Sequence, residues 1–165
     1  MHFRLSLPSP ARRCLGMAAA FALPLAAPLA AQAAPAPQTD QEAQQQIWAK
    51  EQSIYAARGA GNLDAYINAV ATGYAAWPPF APQPTGVEAL KAASPRMAVE
   101  NHELLAMEFV RLVRNGDTAI IYYQTHRTRL PSGAPADERF DVIHVWVREG
   151  GDWKVLGGMA RQRKG

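Results

Sequence analysis

A glutamate, Glu51, interrupts the apolar stripe of the first predicted helix. At about 100° per residue its side chain falls among those of the stripe, which are Ile47, Trp48, Ile54 and Tyr55. A buried carboxylate without a partner is costly, so the position predicts an ion pair, a hydrogen-bond network or a pocket open to water. Arg58 lies on the same stripe. Two interpretations follow: a structural Glu51–Arg58 pair, or a carboxylate that acts as a base in a pocket.

A histidine, His144, lies on the apolar face of a predicted strand. Alternation by two residues places it on one face with Phe140, Val142 and Trp146. A histidine in this setting is either a packed structural side chain or a general acid–base group, because imidazole gains and loses its proton near neutral pH. Trp146 would then supply an apolar wall for a ligand.

The dipeptide Gly150-Gly151 sets the register of the last hairpin. A two-residue turn at this point is predicted to put His144 opposite Gly157, which would leave a hollow beside the imidazole. The same count places two more side chains on the His144 face, those of Met159 and Arg161. A thioether and a guanidinium beside the imidazole would suit a small organic acid, with the guanidinium binding its charge.

The dipeptide Asn115-Gly116 is the strongest turn signal of an earlier hairpin. Counting outwards from that turn predicts a cross-strand hydrogen bond between Glu108 and Tyr123. A slip of one residue would instead bring His126 to the face of His144.

Motifs for other chemistry are missing from the sequence. The single cysteine, Cys14, lies near the N-terminus, and the histidines beyond residue 33 are far apart, which gives no metal-ligand spacing. No nucleophile motif of the G-x-S-x-G type occurs. We therefore expect neither a metal ion nor a cofactor.

The hydrophobic periods predict helices first and an antiparallel sheet afterwards. Helical spacing covers residues 41–58, and two shorter helices are expected, one capped by Asn62 and one that ends by Ser94-Pro95. A short strand is expected over residues 74–77. Beyond Val99 the period is two, and it predicts four strands over 103–113, 118–129, 139–148 and 153–162, with a loop at 131–138. This order indicates an α+β domain.

The first 33 residues predict a signal peptide. They carry basic residues, then an apolar run at 15–31 and the small-x-small pattern Ala31-Gln32-Ala33. Cleavage after Ala33 would leave a Pro/Ala linker at 34–40 and a single domain at 41–165. We expect a periplasmic or secreted protein, with no stable membrane insertion once the signal is removed.

The charge balance excludes one large class of partner. Three of the 17 lysines and arginines lie in the first 33 residues, which contain no aspartate or glutamate. The rest of the chain therefore carries 14 residues of each sign. A neutral domain lacks the basic surface of a nucleic-acid-binding protein.

An ordered set of residues carries a resemblance to a known family. Its members are Glu51, Tyr55 and Ala57, then 61–63, 84–90, 116–119 and 145–155. With these residues the chain resembles the nuclear transport factor 2-like superfamily, nearest its SnoaL-like and ketosteroid-isomerase-related branches. The resemblance implies a curved antiparallel sheet wrapped around the first helix as a cone, a cystatin-like α+β roll. It also implies a pocket inside the cone and frequently a homodimer through the outer face of the sheet.

One departure from the resemblance bears on function. Where the isomerase branch has its catalytic aspartate before a proline, this chain has Trp77-Pro78, and an indole cannot accept a proton as a carboxylate does. The candidate catalytic groups are therefore His144 and Glu51. The candidate ligand-binding residues are Tyr55, Trp77, Tyr123, Trp146, Met159 and Arg161.

Three functions are consistent with these residues. The first is an exported accessory domain that binds a small organic ligand in the cone without catalysis, since the isomerase-type base is missing. The second is a proton-shuttling isomerase, dehydratase or cyclase, with His144 or Glu51 as the base and Tyr123 or Arg161 stabilising an enolate-like charge. The third is a structural homodimer whose cone is filled by aromatic side chains.

Overall fold

A computed structural model of the chain describes residues 38–97 and 101–163. Its elements are α1 (Asp40–Gly59), α2 (Asp64–Ala69), β1 (Val70–Trp77), α3 (Val87–Met97), β2 (Leu104–Asn115), β3 (Thr118–Arg129), β4 (Pro135–Glu149) and β5 (Asp152–Gln162). The predicted signal peptide, its cleavage site and residues 34–37 of the predicted linker lie outside the described residues.

The five strands form one curved, open sheet. Their order is β1-β5-β4-β3-β2, so the last four strands make an antiparallel meander and β1 joins its edge in parallel with β5. The helices precede the meander in the chain, and α1 packs on the inner face of the sheet. The predicted α+β class and the cystatin-like roll are confirmed. We call the space between α1 and the inner face the cone interior.

Helix α1 begins earlier than the hydrophobic spacing predicted. Thr39 caps the helix, because its hydroxyl accepts from the Glu42 backbone N–H while the Glu42 carboxylate accepts from the Thr39 backbone N–H. The amide oxygen of Gln38 also accepts from the indole Nε1 of Trp153 at 3.1 Å. Residues 38–40 of the predicted linker are therefore part of the fold.

The buried face of α1 explains why it occupies the cone. Its fully or nearly fully buried side chains recur every three or four residues, at Ala43, Ile47, Glu51 and Ile54. They meet inner-face side chains of the sheet that are equally buried, among them Ile121, Tyr123, Val142, Trp146 and Val155. This helix-on-sheet contact holds the core and fixes the height of Glu51 above the sheet.

Several element boundaries differ from the predicted ones. β1 spans eight residues rather than four, and β4 begins at Pro135, inside the predicted loop. α3 continues through Pro95 to Met97, since a proline in the last turn removes only one backbone donor. Asn62 lies just before α2, and its side-chain oxygen accepts from the backbone N–H of Asp64 at 2.7 Å.

A bulge at Leu156 changes the register of the last hairpin. The turn holds Gly150 and Gly151, both with positive φ, as predicted. Beyond the pair Trp146–Val155, however, Val145 pairs with Gly157, so Leu156 is an extra residue in β5. His144 consequently lies opposite Gly158, and the prediction that it lies opposite Gly157 is wrong.

A second bulge, at Val110, changes the register of the first hairpin. Asn115 pairs with Thr118, which places the turn one residue later than predicted, and Val110 is an extra residue in β2. Glu108 pairs with Gln124 and is exposed. The predicted hydrogen bond between Glu108 and Tyr123 is therefore wrong.

Candidate functional site

The carboxylate of Glu51 is fully buried and meets three donors from the sheet. Its Oε1 accepts from the indole Nε1 of Trp146 at 2.9 Å and lies 2.7 Å from Nδ1 of His144. Its Oε2 accepts from the hydroxyl of Tyr123 at 3.0 Å. All three donors alternate with outward-facing residues on β3 and β4, so one helix position and two strands assemble the group.

The Glu51 contact determines which nitrogen of His144 carries the proton. An ionised carboxylate only accepts hydrogen bonds, so Nδ1 of His144 donates to it. Among the described residues, the hydrogen-bond contacts of His144 all involve Nδ1. Nε2 is therefore left with a lone pair, available to a molecule in the cone interior.

Gly158 is the residue that lets the imidazole reach Glu51. A Cβ atom at this position would overlap the carbonyl oxygen of Ile143 and Cδ2 of His144. The hollow predicted from the sequence is thus present one residue further along β5, and the imidazole occupies it. Gly157 instead allows β1 to approach β5, because a Cβ there would overlap the carbonyl oxygen of Ala75 and separate the two strands.

Two adjoining cavities occupy the cone interior beside His144. The histidine chamber, of about 200 Å³, is lined by His144 and by the side chains of Tyr55, Tyr66, Tyr74 and Trp77. The arginine chamber, of about 270 Å³, is lined by Thr125, Arg127, Phe80 and Phe140. Tyr55, Arg58, Pro78, Pro79, Val142 and Ala160 line both chambers.

Buried tyrosines surround the histidine chamber. Burial raises the pKa of Tyr66 and of Tyr123 well above that of a free phenol, and it also raises the pKa of Tyr55 and of Tyr74. The hydroxyl groups of Tyr66 and Tyr74 lie 2.8 Å apart. These phenols stay protonated near neutral pH. Because Tyr74 donates to Tyr66 and Tyr123 donates to Glu51, the Tyr66 hydroxyl is the one beside Tyr74 that can donate to an oxygen atom in the chamber.

A second ionic cluster borders the arginine chamber. The Glu103 side chain is only 2% exposed; its Oε1 lies 3.0 Å from Nη2 of Arg58 and 2.7 Å from Nε of Arg127. Nη1 of Arg127 lies 2.7 Å from Oε2 of Glu138. The predicted Glu51–Arg58 pair is therefore wrong, because the sheet brings a histidine to Glu51 and a different carboxylate to Arg58.

Most of the predicted site residues meet in the cone interior, with differing access to the chambers. Glu51, His144, Tyr123 and Tyr55 lie together, since the hydroxyl groups of the two tyrosines are 3.3 Å apart. Trp146 is fully buried behind Glu51. Trp77 is 47% exposed at the edge of the histidine chamber, and its indole donates to the carbonyl oxygen of Ala81.

The last two predicted residues are displaced by the Leu156 bulge. Arg161 lies on the outer face, where it pairs with Asp141 at 3.0 Å, so its predicted position on the His144 face is wrong. Met159 pairs with Ile143 and is half exposed, although it also borders the histidine chamber. A one-residue insertion inverts the faces of all later residues in a strand.

Four lining residues were missed in the sequence. Tyr66, Tyr74, Thr125 and Arg127 all lie on inward-facing positions of α2, β1 or β3. Their alternation with outward residues was a usable signal for Thr125 and Arg127, because both share the parity of Tyr123. His126, the alternative histidine, points away from this face; its Nε2 lies 2.6 Å from Oδ1 of Asp137.

The outer face of the sheet carries a separate groove of about 480 Å³. We call it the outer groove; its lining includes Val110, Tyr122, Ile143, Met159 and Arg161. Val110 and Met159 are about half exposed. The two faces of the sheet thus differ. Glu51 and His144, which we call the dyad, meet on the inner side of the sheet.

The sequence of the chain matches a protein-family model. The model of the SnoaL-like domain matches residues 52–156, most of the described chain. The chain belongs to the SnoaL-like domain family. No curated protein matches its sequence. The family relation that the sequence pattern suggested is confirmed.

Solved structures with this fold resemble the SnoaL-like domain described here. One, from Streptomyces avermitilis, is a nuclear transport factor 2-like protein with a proposed dehydratase activity; it has 16% identity and a TM-score of 0.63, over 77% of this chain and 100% of that chain. A proposed ketosteroid isomerase from Parabacteroides distasonis has 15% identity and a TM-score of 0.55, over 72% and 86%. A cystatin-like domain of unknown function from Nostoc punctiforme has 13% identity and a TM-score of 0.64, over 78% and 81%. At these identities the likeness shows the fold.

The described residues of this SnoaL-like domain contain neither a membrane-spanning helix nor a metal-ligand cluster. Within residues 38–97 and 101–163, no helix is both long and apolar enough to span a bilayer. The same residues contain no group of three or more His, Cys, Asp or Glu side chains arranged to hold a metal ion.

Proposed function

We propose that the chain is a proton-transfer enzyme of the isomerase or dehydratase kind that acts on a small organic molecule in the histidine chamber. The observation that carries this proposal is the 2.7 Å contact between Glu51 and Nδ1 of His144, which leaves Nε2 without a protein partner among the described residues. The two reaction classes are those proposed for structures of the same fold. The similarity of fold suggests isomerisation or dehydration as the reaction, and the imidazole of His144 is the group that would transfer the proton.

The proposed step uses His144 as the base. Nε2 takes a proton from a carbon next to a carbonyl group; the C–H bond breaks and its electron pair moves to the carbonyl oxygen as an enolate. The buried Glu51 carboxylate stabilises the imidazolium that forms. The carbonyl group then re-forms from the enolate. In an isomerisation the proton returns to the far carbon of a conjugated dienolate and the double bond moves; in a dehydration it goes to a β-hydroxyl group, whose C–O bond breaks as a C=C bond forms and water leaves.

Tyrosine hydroxyls are the candidates for stabilising the enolate oxygen. Tyr66 and Tyr74 line the same chamber as His144, and burial keeps their pKa raised; Tyr74 donates to Tyr66, whose own hydroxyl proton is left for the enolate oxygen. Donors fixed in a site with little water stabilise a developing oxyanion more strongly than water does. Tyr123 is committed to Glu51 and holds the dyad instead.

Hydrogen–deuterium exchange tests the proposal without a known substrate. In D₂O, NMR would follow loss of the α protons from a panel of cyclic ketones and keto acids, including cyclohexanone and 3-oxocyclohexanecarboxylate. We expect His144→Gln to slow the protein-dependent exchange by at least about a hundredfold, the usual contribution of a general base. His126→Gln is the matched control, since this histidine lies outside the cone interior and pairs with Asp137.

Glu51→Gln separates the two members of the dyad. Because a glutamine amide carries no charge to stabilise the imidazolium, exchange should fall by about tenfold or more while saturable binding persists. Glu108→Gln, on an exposed position, is its control. Saturable binding of a probe with no exchange above the buffer rate would contradict the enzymatic proposal.

That contradictory outcome is the signature of the second candidate function, binding without catalysis. Trp77 favours this function, because it occupies the position at which the isomerase branch has its base. Its indole N–H donates to the carbonyl oxygen of Ala81. The two chambers favour either of these functions over a structural domain with a filled cone. Stabilisation of the His144→Gln variant by the same probes would support binding alone.

We also propose export and self-association for this chain. The basic, apolar and small-x-small segments of residues 1–33 support cleavage after Ala33 and a periplasmic or secreted location. An intact mass from a periplasmic extract should lack those residues. The partly apolar outer groove supports a homodimer through the outer face of the sheet.

A further inference from the structure

We infer that the arginine chamber holds a carboxylate group of the ligand, so that the substrate class is a small carboxylic acid built on a single ring. This inference rests on the proposed function for one point, that the same molecule reaches His144. It replaces the charge-binding role that the sequence pattern gave to Arg161, which lies on the other side of the sheet.

Arg58 is the first group that carries the inference. It lines both chambers, and its guanidinium lies over the ring of Tyr55, 5.7 Å from the centroid. Nη2 donates to Glu103, whereas Nε and Nη1 have no hydrogen-bond partner among the described residues. A guanidinium held on one side by a buried carboxylate presents its remaining N–H groups in a fixed direction, which suits a planar carboxylate.

Thr125 is the second, independent group. The residue is only 4% exposed and lines the arginine chamber, so its hydroxyl can donate a hydrogen bond to a molecule there. A carboxylate oxygen accepts from a hydroxyl and from a guanidinium at once.

The ion pairs around the arginine chamber leave Arg58 with a shared carboxylate only, whereas Arg127 contacts two. Arg58 and Arg127 share one buried carboxylate, that of Glu103, and with Glu138 the four groups carry no net charge. Glu138 balances Arg127 from a more exposed position, with 27% of its side chain accessible. In the neighbouring chamber the Glu51 charge is already met by three donors.

The sizes of the chambers limit the rest of the ligand. An apolar cavity of about 150 Å³ is enough to hold benzene. The histidine chamber, of about 200 Å³ with aromatic walls, therefore has room for one six-membered ring. With the carboxylate at Arg58 in the adjoining chamber, the ring lies against Tyr55 and below the imidazole of His144.

The test compares an acid with its uncharged analogue. The probes are 3-oxocyclohexanecarboxylate and the corresponding primary amide, and their dissociation constants are measured by calorimetry or by NMR titration. We expect the acid to bind about tenfold or more tightly than the amide, the usual size of a charge-assisted hydrogen bond. Arg58→Gln should remove this preference and change amide binding by less than about twofold, because only the charged interaction is lost.

Glu103→Gln provides a variant with the opposite expected sign. Removing the carboxylate that the two arginines share should strengthen acid binding and leave amide binding unchanged, since Glu138 then balances only one of the two guanidiniums. If the cluster had only a structural role, both variants would bind the acid and the amide more weakly than the wild-type protein does. Arg139→Gln, half exposed and paired with Asp137 outside the chambers, is the matched control.

Folding of Arg58→Gln is the practical risk, because it leaves the buried Glu103 with one partner fewer. The double variant Arg58→Gln/Glu103→Gln removes both charges and should also lose the acid preference. Equal affinities for acid and amide in the wild-type protein, no saturable binding of the acid, or an undiminished preference in the double variant would each overturn the inference. If cyclohexanone protons exchange but the acid is not preferred, the proposed function stands and the carboxylate inference fails. If the acid is preferred but no protons exchange, the carboxylate inference stands and the proposed function fails.

Discussion

At the scale of single residues, the central feature is one carboxylate that holds an imidazole in place. Trp146 and Tyr123 donate to Glu51 permanently, so the third position around the carboxylate is left for His144. A buried charge is tolerated here because every strong acceptor position has a donor. The same contact fixes the tautomer of the imidazole, which links the stability of the core directly to the chemistry of the site.

The buried phenols give the protein a predictable response to alkaline pH. Burial raises the pKa of Tyr66 and Tyr123 above the unfolded value of about 10. Their contribution to stability is therefore complete below about pH 10 and is lost as the pH rises towards their folded pKa. Urea unfolding above that pH should show a loss of up to about 1.4 kcal/mol per pH unit for each phenol.

Tyr123→Phe is the companion variant for the alkaline titration. It removes one of the four phenols whose pKa is raised and should reduce the slope of stability against pH by about a quarter, because each phenol contributes its own proton to the linkage. Near-ultraviolet absorbance follows the phenolates directly. If Tyr66 and Tyr123 ionised in the folded protein as free phenols do, the burial of these two side chains in the cone interior would be contradicted.

At the scale of elements, two bulges and two glycines decide which side chains reach the cone interior. Leu156 shifts β5 by one residue, and Gly158 then lies under His144, while Gly157 lies against β1. The bulge and the glycine pair act together, because only the shifted register brings a residue without Cβ to the imidazole. The site is therefore assembled by the irregular part of the sheet.

Gly158→Ala tests this element directly. Its Cβ would overlap the Ile143 carbonyl oxygen and the His144 ring, so unfolding in urea should show a loss of about 1–3 kcal/mol or more, as overpacking of a core does. The NMR signals of the His144 ring should move, because the imidazole is displaced from Glu51. Gly59→Ala is the control, since nothing lies within 4 Å of its Cβ position. Equal stability of the two variants would contradict the assigned register.

At the scale of the whole molecule, the sheet separates two surfaces of different shape and composition. The inner face and α1 enclose the dyad and both chambers, whereas the outer groove is open and partly apolar. A homodimer through the outer groove would leave the chambers accessible. Association and ligand binding should therefore be independent in this protein.

Sedimentation of the domain tests the proposed dimer. We expect a concentration-dependent dimer, and Val110→Glu should weaken it by about tenfold or more, because burying a valine contributes about 1.5 kcal/mol or more. Val110 is 54% exposed at the bulge of β2. Phe80→Glu is the control, an even more exposed apolar residue that borders the arginine chamber instead. A monomer at every concentration would refute the dimer.

The sequence by itself determined the class of the fold and the two most informative residues. Hydrophobic period and turn chemistry are local properties, so they predicted α1, the two hairpins and the inward positions of Glu51 and His144. The order of these elements also led to the family, which the comparison confirms. The signal peptide remains a prediction, since residues 1–33 lie outside the described part of the chain.

The tertiary structure alone decided which charged groups meet. Nothing local marks Leu156 as a bulge, because an apolar residue at that point fits either face, and yet the insertion moves Arg161 from the predicted inner face to the outer one. Pairing across the cone is equally invisible in a sequence, since Glu51 and His144 are far apart along the chain. Glu51 therefore has a histidine as its partner rather than Arg58, because long-range packing determines which buried charges can reach each other.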